Sequence, residues 1–352
     1  MKQAYRDILG AGPRDRRQVY SEATDAWPTS ANFIEKDFLV SAVLDILFSD
    51  LPDAQKKLVF KGGTSLSKAH GLISRFSEDI DLVIVREELG FSGDSDPMRH
   101  DATLSDGSRF SNKARVRLIE SLKAEAARYV ETALKPILEE QLAPLGARIA
   151  IDPDPAQEGQ TLLVEYASAF EVHDEYVRPV VKLEAGARSA TLPAHPAEVE
   201  PYAASVLPDH DLKVVGVQTI DAERTFLDKI VILHGRHCHF RDRGIVYRNA
   251  KRESRHYYDL AMMADAVAPG ALTNRALLED VLSHSALAFR SGWMRFDEAE
   301  RGDLLIFPPE GAHRDLRRDY RAMAGMILGD APAFDWVLDK IAAIGKLYEE
   351  LR

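Results

Sequence analysis

Two short motifs near the start of the chain combine backbone and side chains that suit phosphate chemistry. The first is Lys61-Gly62-Gly63-Thr64-Ser65, which follows the apolar run LVF and precedes a stretch with helical character. Two glycines let a backbone approach a phosphate closely, and the start of a helix offers free N–H groups and the positive end of the helix dipole. Taken alone, the motif is also typical of a plain tight turn.

The second motif places two carboxylates side by side. Asp79 and Asp81 belong to the run SEDIDLVIV, whose apolar residues predict a strand. Residues i and i+2 of a strand project to the same side, so both carboxylates should face one way while Ile80 and Leu82 pack inward. Like charges at this spacing call for a cation between them, and carboxylate oxygens suit Mg²⁺. The alternative is a solvated acidic strand end.

Together the motifs predict one pocket that holds phosphates and metal ions. Phosphoryl transfer with two metals needs carboxylates that hold the ions, and the ions stabilise the attacking and leaving oxygens. A third carboxylate from a neighbouring strand would complete the site. Glu184, within Val181-Lys182-Leu183-Glu184-Ala185, has suitable apolar flanks. Its alternative is an ordinary exposed strand residue.

A basic segment at 236–256 stands out because the chain has a formal net charge of -11. Arginine interleaved with aromatic side chains suits single-stranded RNA ends, through phosphate pairing and base stacking. We therefore predict acceptor binding by Arg241, Arg243 and Arg248. The alternative is a solvated basic loop paired with the acidic body of the chain. The histidines around Cys238 lack the second Cys/His cluster that a zinc site needs, so we predict no zinc there.

The apolar spacing indicates which elements carry these residues. It predicts a helix over 30–49 and a long helix over roughly 112–142 with Ser111 as its cap, and a helical pattern from Asp221 onward. Residues 86–111 are rich in Gly, Ser and Asp and predict a loop, and 191–208 predicts a connection. The predicted strands are LVF (58–60), DIDLVIV (79–85), ARIAID, TLLVEYAS, PVVKLEAG and LKVVGV (212–217).

Composition narrows the class of protein. The 352 residues are 45% hydrophobic and 29% charged, which is enough to build a core. The length predicts either one large domain with an appended part or two domains. The single cysteine allows no internal disulfide, and the chain shows no signal-peptide run and no long apolar stretch. We predict a soluble cytoplasmic protein that does not engage a membrane. The acidic balance disfavours a general nucleic-acid binder.

The stretch FKGGTSLSKAHGLISRFSEDIDLVIV resembles the core signature of the AbiEii-type nucleotidyltransferase toxins, within the DNA polymerase β-like nucleotidyltransferase superfamily. The resemblance extends upstream to IEKDFLVSAVL and downstream to KLEAGAR, LDKIVILHGR and RHYYDLAMM. It implies an α+β fold with a mixed sheet in a polymerase β-like core and an α-helical C-terminal region. The expected organisation is an N-terminal helical segment at 1–50 that packs on the core, a nucleotidyltransferase core at 51–220 and a helical domain at 221–352.

The resemblance also implies roles for individual residues. The nucleotide-binding candidates are Lys61, Gly62, Gly63, Thr64, Ser65 and Lys182. The catalytic candidates are Asp79, Asp81, Glu184, Lys229 and Asp259, of which the first three would hold Mg²⁺ or, in its place, Mn²⁺. Lys229 would neutralise a triphosphate as a point charge, and Asp259 would orient it or bind a ribose hydroxyl. A snorkelling surface lysine and a helix-start residue are the alternatives for these two.

The implied function is transfer of NMP from an NTP to an acceptor, with tRNA as the expected acceptor and pyrophosphate as the leaving group. The resemblance makes the chain the toxin of a toxin–antitoxin or phage-defence pair with a separately encoded antitoxin. Two alternatives stay open: a nucleotidyltransferase that modifies a small-molecule or protein hydroxyl, and a catalytically silent NTP- or RNA-binding module. The intact pair Asp79 and Asp81 argues against the catalytically silent module, because adjacent like charges destabilise each other and a bound metal readily offsets that cost.

Overall fold

The computed structural model describes residues 1–51, 53, 57–171, 178–246 and 252–351. The chain divides into two compact units. The first unit consists of Met1–Gly71 and Phe76–Ile220, and the second of Leu72–Arg75 and Asp221–Arg352. Across the described residues, no helix combines the length and the apolar character needed to cross a membrane.

One mixed sheet organises the first unit. Within the described residues it has seven strands, in the order β3-β4-β5-β2-β1-β7-β6. The strands are β1 Leu58–Lys61, β2 Asp79–Ile84, β3 Arg148–Ile151, β4 Thr161–Glu165, β5 Val180–Gly186, β6 Ala194–Val199 and β7 Val214–Ile220. β2 pairs in parallel with β5, and β1 with β7, while the remaining neighbours are antiparallel. The predicted α+β class with a mixed sheet is confirmed.

The helices of the first unit lie mainly before and between these strands. They are α1 Gln3–Gly10, α2 Pro13–Glu22, α3 Ala31–Asp45, α4 Gly62–Lys68, α5 Asn112–Tyr129 and α6 Lys135–Leu142. A π-helical turn at Val130–Leu134 joins α5 to α6, so the long helix predicted over 112–142 is observed. The Ser111 hydroxyl accepts a hydrogen bond from the Ala114 N–H at 3.1 Å, which is the predicted cap.

The two faces of the central strands differ in character. Phe60, Ile80, Leu82 and Leu183 are buried in one cluster with apolar side chains of α3. Residues alternate between faces along a strand, so the residues between them project to the other face. The hydrophobic core therefore fixes the strands from one side and leaves polar side chains together on the opposite side.

The second unit is helical, as predicted from Asp221 onward. Its helices are α7 Ala222–Arg243, α8 Ser254–Met263, α9 Ala268–Thr273, α10 Arg275–Ala288, α11 Phe296–Glu300, α12 His313–Met323 and α13 Phe334–Leu351. The short segment Leu72–Arg75 joins this unit through an antiparallel bridge between Arg75 and Ile327 and a hydrogen bond of 2.8 Å from the Leu328 N–H to the Ser74 carbonyl.

One prediction about the sheet is wrong. Residues 191–208 were expected to form a connection, yet Ala194–Val199 is the edge strand β6, antiparallel to β7. Pro196 lies within this strand, opposite Gln218. Proline is tolerated at a sheet edge because its missing N–H leaves no neighbouring strand unpaired. The Pro- and Ala-rich composition therefore concealed a strand.

Candidate active site

Gly62 is the point at which the two sequence motifs meet. Its backbone has φ +79°, and a Cβ there would collide with the Asp81 carboxylate and lie 2.8 Å from Asp81 Cγ. Only glycine combines this backbone conformation with so close an approach. The glycine turn and the carboxylate strand are therefore packed directly against each other.

The hydroxyls of Thr64 and Ser65 in the glycine turn donate hydrogen bonds to backbone carbonyls of the protein. Thr64 Oγ1 donates to the Asp79 carbonyl, and Ser65 Oγ donates to the Gly62 carbonyl at 2.9 Å. Both residues are fully buried. The Thr64 hydroxyl thus ties the start of α4 to β2, and the Ser65 hydroxyl closes the first turn of α4. The backbone of the turn remains as the part that could contact a phosphate.

Four charged residues share the polar face where β2 and β5 run side by side. Asp81 pairs with Glu184, and Asp79 with Lys182, in the parallel register. Paired residues on neighbouring strands project to the same face, so the sheet brings all four together. Lys61 extends the row, since it pairs with Asp81 from β1. All five are only partly buried, so this face stays accessible.

Lys182 is the cation among these carboxylates. Its ammonium lies 2.9 Å from Glu184 Oε1 and 3.7 Å from Asp152 Oδ2. Burial lowers the pKa of Lys182, but Glu184, Asp79 and Asp152 outweigh burial and hold the pKa above its ordinary value. The lysine therefore stays charged and is attracted to the whole cluster.

Asp152 is a site residue that the sequence analysis missed. It follows β3, and its N–H donates to the Thr161 carbonyl at 2.9 Å. Thr161 in turn pairs with Glu184. Asp152 therefore lies in the same row across the sheet, brought there by two antiparallel pairings that no local pattern specifies. The one local signal was its place at the end of the predicted strand ARIAID.

The chemistry of this cluster fits a divalent metal ion. Carboxylate oxygens on adjacent strands are the donors that Mg²⁺ prefers. In the observed conformation Glu184 faces Lys182, and among the described residues no three His, Cys, Asp or Glu side chains are arranged to hold one ion. The ammonium of Lys182 occupies the place of a cation in the cluster. A metal would therefore have to compete with Lys182 for Glu184.

In the second unit, Lys229 and Asp259 are brought together with Arg75. The Arg75 guanidinium donates to both Asp259 oxygens, at 2.7 and 2.8 Å, and Lys229 Nζ lies 2.9 Å from Asp259 Oδ2. Burial would raise the pKa of Asp259, but the two cations outweigh it and hold the pKa well below its usual range. Burial lowers the pKa of Lys229, against the pull of Asp259. The sequence analysis missed Arg75, which forms the bidentate part of this triad.

Among the described residues of the basic segment, Arg236 and Arg241 are paired with carboxylates of their own unit. Arg241 makes two hydrogen bonds to Glu298, at 2.7 and 2.9 Å, and Arg243 Nη1 lies 3.5 Å from His239 Nε2. Arg248 lies outside the described residues. At Arg241 the arrangement matches the alternative of a basic side chain paired with acidic surface.

The helix α12 presents a second basic surface, which the sequence analysis missed. Leu316, Tyr320 and Met323 are buried, which turns the opposite side of the helix outward. That side carries Arg314 and Arg318, whose side chains are 94% and 79% exposed. Arginines spaced by four residues lie on one helix face. Both pair with Asp315, at 4.0 and 3.3 Å, yet they are far more exposed than Arg241, whose side chain is 38% exposed.

The comparisons with known proteins bear on this site. A family model described as nucleotidyl transferase AbiEii toxin, type IV toxin–antitoxin system, matches residues 45–340, which is most of the chain. The chain belongs to this family. The resemblance stated from the sequence motifs is confirmed, and so is the enzyme class: the protein is a nucleotidyltransferase toxin of a type IV toxin–antitoxin system.

Two further comparisons complete this picture. A solved structure, MenT4, a nucleotidyltransferase toxin from Mycobacterium tuberculosis H37Rv, is similar with 16% sequence identity and a TM-score of 0.39, covering 96% of this chain and 99% of that chain. No curated protein matches the chain.

Proposed function

We propose that this AbiEii toxin transfers NMP from an NTP to tRNA in the cytoplasm, in a reaction that depends on Mg²⁺ or Mn²⁺. We further propose that it serves a toxin–antitoxin or phage-defence pair, opposed by a separately encoded antitoxin. The observation that carries this proposal is the register of β2 and β5, which aligns Asp81 with Glu184 and Asp79 with Lys182 beside the Gly62 backbone.

Each part of the cluster has a task in this proposal. Asp79, Asp81 and Glu184 would hold the divalent ion, which when bound neutralises charge on the transferred phosphoryl group. The backbone from Gly62 onward supports the triphosphate, because N–H groups at the start of a helix have no partner within the helix. Lys182, whose ammonium lies 2.9 Å from Glu184 Oε1, would neutralise phosphate charge as a point charge. Lys61, beside Asp81, does the same at the other end of the row.

Label transfer and metal binding test the central claim. Wild-type protein should move label from α-³²P-NTP onto tRNA with Mg²⁺ and lose this activity with EDTA. Asp79→Asn and Asp81→Asn should bind Mn²⁺ much more weakly in calorimetry. Asp94→Asn is the control, since Asp94 is an exposed aspartate of the same unit that pairs with Arg99. Transfer that survives EDTA, or Mn²⁺ binding that is equal in all variants, would refute the metal assignment.

The acceptor surface needs its own test, because two basic surfaces compete for it. Arg314 and Arg318 pair with Asp315 but are 94% and 79% exposed, whereas Arg241 is 38% exposed and binds Glu298 at 2.7 Å. The double variants Arg314→Gln/Arg318→Gln and Arg241→Gln/Arg243→Gln should be compared for tRNA affinity over a salt series. Loss of phosphate contacts flattens the salt dependence. NTP affinity should stay unchanged in both, and the pair that flattens the tRNA salt dependence identifies the surface.

A specific observation also favours the second candidate, transfer to a small-molecule or protein hydroxyl. In the described part of the basic segment, Arg241 is paired with Glu298 and Arg236 with Glu253, and the chain as a whole carries a net negative charge. If neither arginine pair affects tRNA binding while NTP and metal still bind, the acceptor is of this second kind.

A further inference from the structure

Three successive charged residues lie in the interior of the first unit and are not used by the proposed mechanism. They are Glu35, Lys36 and Asp37 on α3, each at most 3% exposed. All residues of α3 from Phe33 to Asp45 are buried, so this helix is enclosed on every side. Buried charges are costly unless each finds a partner. Successive side chains of a helix point about 100° apart, so the three must find partners in three directions.

Lys36 reaches the start of the carboxylate strand. Its ammonium lies 2.6 Å from Glu78 Oε2 and donates to the Arg178 carbonyl at 3.2 Å. Glu78 is the residue before Asp79, and it is itself 8% exposed. Arg178 lies just ahead of β5, which carries Glu184. One buried ammonium therefore contacts the chain immediately before each of the two strands that hold the carboxylates.

Asp37 reaches the far end of the glycine-turn helix. Its Oδ1 lies 2.7 Å from Lys68 Nζ, and its Oδ2 accepts from the Tyr202 N–H at 2.7 Å. Lys68 is the last residue of α4, the helix that begins at Gly62. The Lys68 ammonium also lies 4.0 Å from the centre of the Tyr202 ring. The end of α4 is thus held by a buried charge on α3.

Glu35 has partners of a different kind. It accepts hydrogen bonds from the Ser168 hydroxyl and from the Ala169 N–H at 2.7 Å, and it lies 3.9 Å from Arg16. None of these partners is a candidate site residue or adjoins one in sequence. Glu35 is therefore a charged and equally buried residue of the same helix as Lys36 and Asp37, but its partners lie away from the candidate site.

We propose that Lys36 and Asp37 are positioning residues, which lock the carboxylate strands and the glycine-turn helix to one rigid helix. This inference rests on the proposed function. Lys36 fixes the chain ahead of Asp79 and Glu184, and Asp37 fixes the helix that starts at Gly62. The two motifs must stay in register with each other, because a displacement of about 1 Å in a catalytic group can cost 100-fold in rate. Because both motifs are linked to adjacent residues of α3, they cannot easily shift relative to each other.

The proposal separates the effects of two substitutions. Lys36→Met removes the ammonium that holds Glu78 beside the start of β2, so Mn²⁺ affinity should fall about 10- to 100-fold, as when a ligand loses its supporting contact. Asp37→Asn weakens the hold on α4, so the KM for NTP should rise about tenfold. Glu35→Gln should change neither value in protein that is folded. Lys36→Arg keeps the charge and should restore Mn²⁺ affinity.

The measurements are Mn²⁺ and NTP calorimetry with steady-state kinetics, at a temperature where circular dichroism shows each variant folded. A purely structural role predicts that all three residues lower stability and leave Mn²⁺ affinity and KM unchanged in the folded fraction. That result would overturn the proposal. If Lys36→Met or Asp37→Asn does not fold, Glu78→Gln and Lys68→Met remove the same pairs from the other side and carry the same expectations.

Failure of the inference is distinguishable from failure of the proposed function. If Asp79→Asn binds Mn²⁺ as well as wild type does, the metal site is wrong and the positioning role of Lys36 is overturned with it, while Asp37→Asn and the KM for NTP still decide the role of Asp37. If Asp79→Asn loses Mn²⁺ while Lys36→Met binds like Glu35→Gln, the metal site stands and the positioning role is refuted.

Discussion

Replacing Gly62 by alanine tests the contact on which the site depends. The substitution adds one methyl group to a backbone with φ +79°. That methyl carbon would lie 2.8 Å from Asp81 Cγ and 3.0 Å from Asp81 Cβ. Carbon atoms that are not bonded gain from contact only at about 3.5–4.0 Å. The Asp81 side chain must therefore move, and a predicted metal ligand moves with it.

Two costs of this substitution can be separated. The left-handed backbone conformation costs alanine about 1–2 kcal/mol relative to glycine. For a unit of this size that lowers the unfolding temperature by about 2–8 °C. The displacement of Asp81 acts on activity instead, and misplacement of a catalytic group by about 1 Å costs roughly 100-fold in kcat.

Gly90 provides the matched control. It lies in the same unit with φ +87°, and a Cβ there would meet nothing within 4 Å. Gly90→Ala should lower the unfolding temperature by a similar amount and leave kcat unchanged. The assays are thermal unfolding and label transfer at saturating NTP and metal, well below the unfolding temperature. Equal kcat values for the two variants would refute the reasoning, whatever their stabilities.

The other predictions concern the charges of the two units. Glu184→Gln should nearly abolish transfer with an unchanged circular dichroism spectrum, and near-normal activity would make Glu184 a surface residue. Lys182→Met removes the competing cation, so calorimetry should show tighter Mn²⁺ binding and weaker NTP binding; Lys213→Met, whose side chain is 49% exposed, should change neither. Asp259→Asn removes the carboxylate that faces the buried Lys229 ammonium, which should lower the free energy of unfolding in urea by about 3–5 kcal/mol. Because the pKa of Asp259 is depressed in the folded state, its stabilisation is complete well above the ordinary aspartate pKa of about 4, so the gap to Asp259→Asn should be full at pH about 6 and should narrow steadily as the pH falls below about 4.

Features specified by contiguous residues could be predicted from the sequence. The glycine turn at Gly62 needs only a strand, two glycines and a helix, and the side-by-side placement of Asp79 and Asp81 follows from strand alternation. Ser111 could be identified as a cap because the helical period begins directly after it. In each case the determining interactions lie within a few residues of one another.

Features that depend on distant partners could not be predicted in this way. Asp152 reaches the carboxylates through the pairing of β3 with β4 and of β4 with β5. Arg75 meets Asp259 across 184 positions. The charges on α3 were also misleading, because charged residues are almost never fully buried unless they are paired. A helix with apolar residues at helical spacing and charges between them predicts one exposed face, whereas α3 is buried throughout.

The case for metal dependence rests on how much negative charge the carboxylate row keeps once the positive charge of Lys182 is subtracted. From the sequence, only a metal would readily offset two adjacent carboxylates. The structure shows a second means, since one ammonium is attracted by Asp79, Glu184 and Asp152 together. Lys61 and Lys182 bring two positive charges to a row that holds four carboxylates, those of Asp79, Asp81, Asp152 and Glu184, so a surplus of negative charge remains. Such a surplus favours binding of a further cation, because each carboxylate disfavours ionisation of its neighbours. A fold alone would be served as well by amides at these positions, so the surplus supports the proposal that the reaction uses a divalent cation.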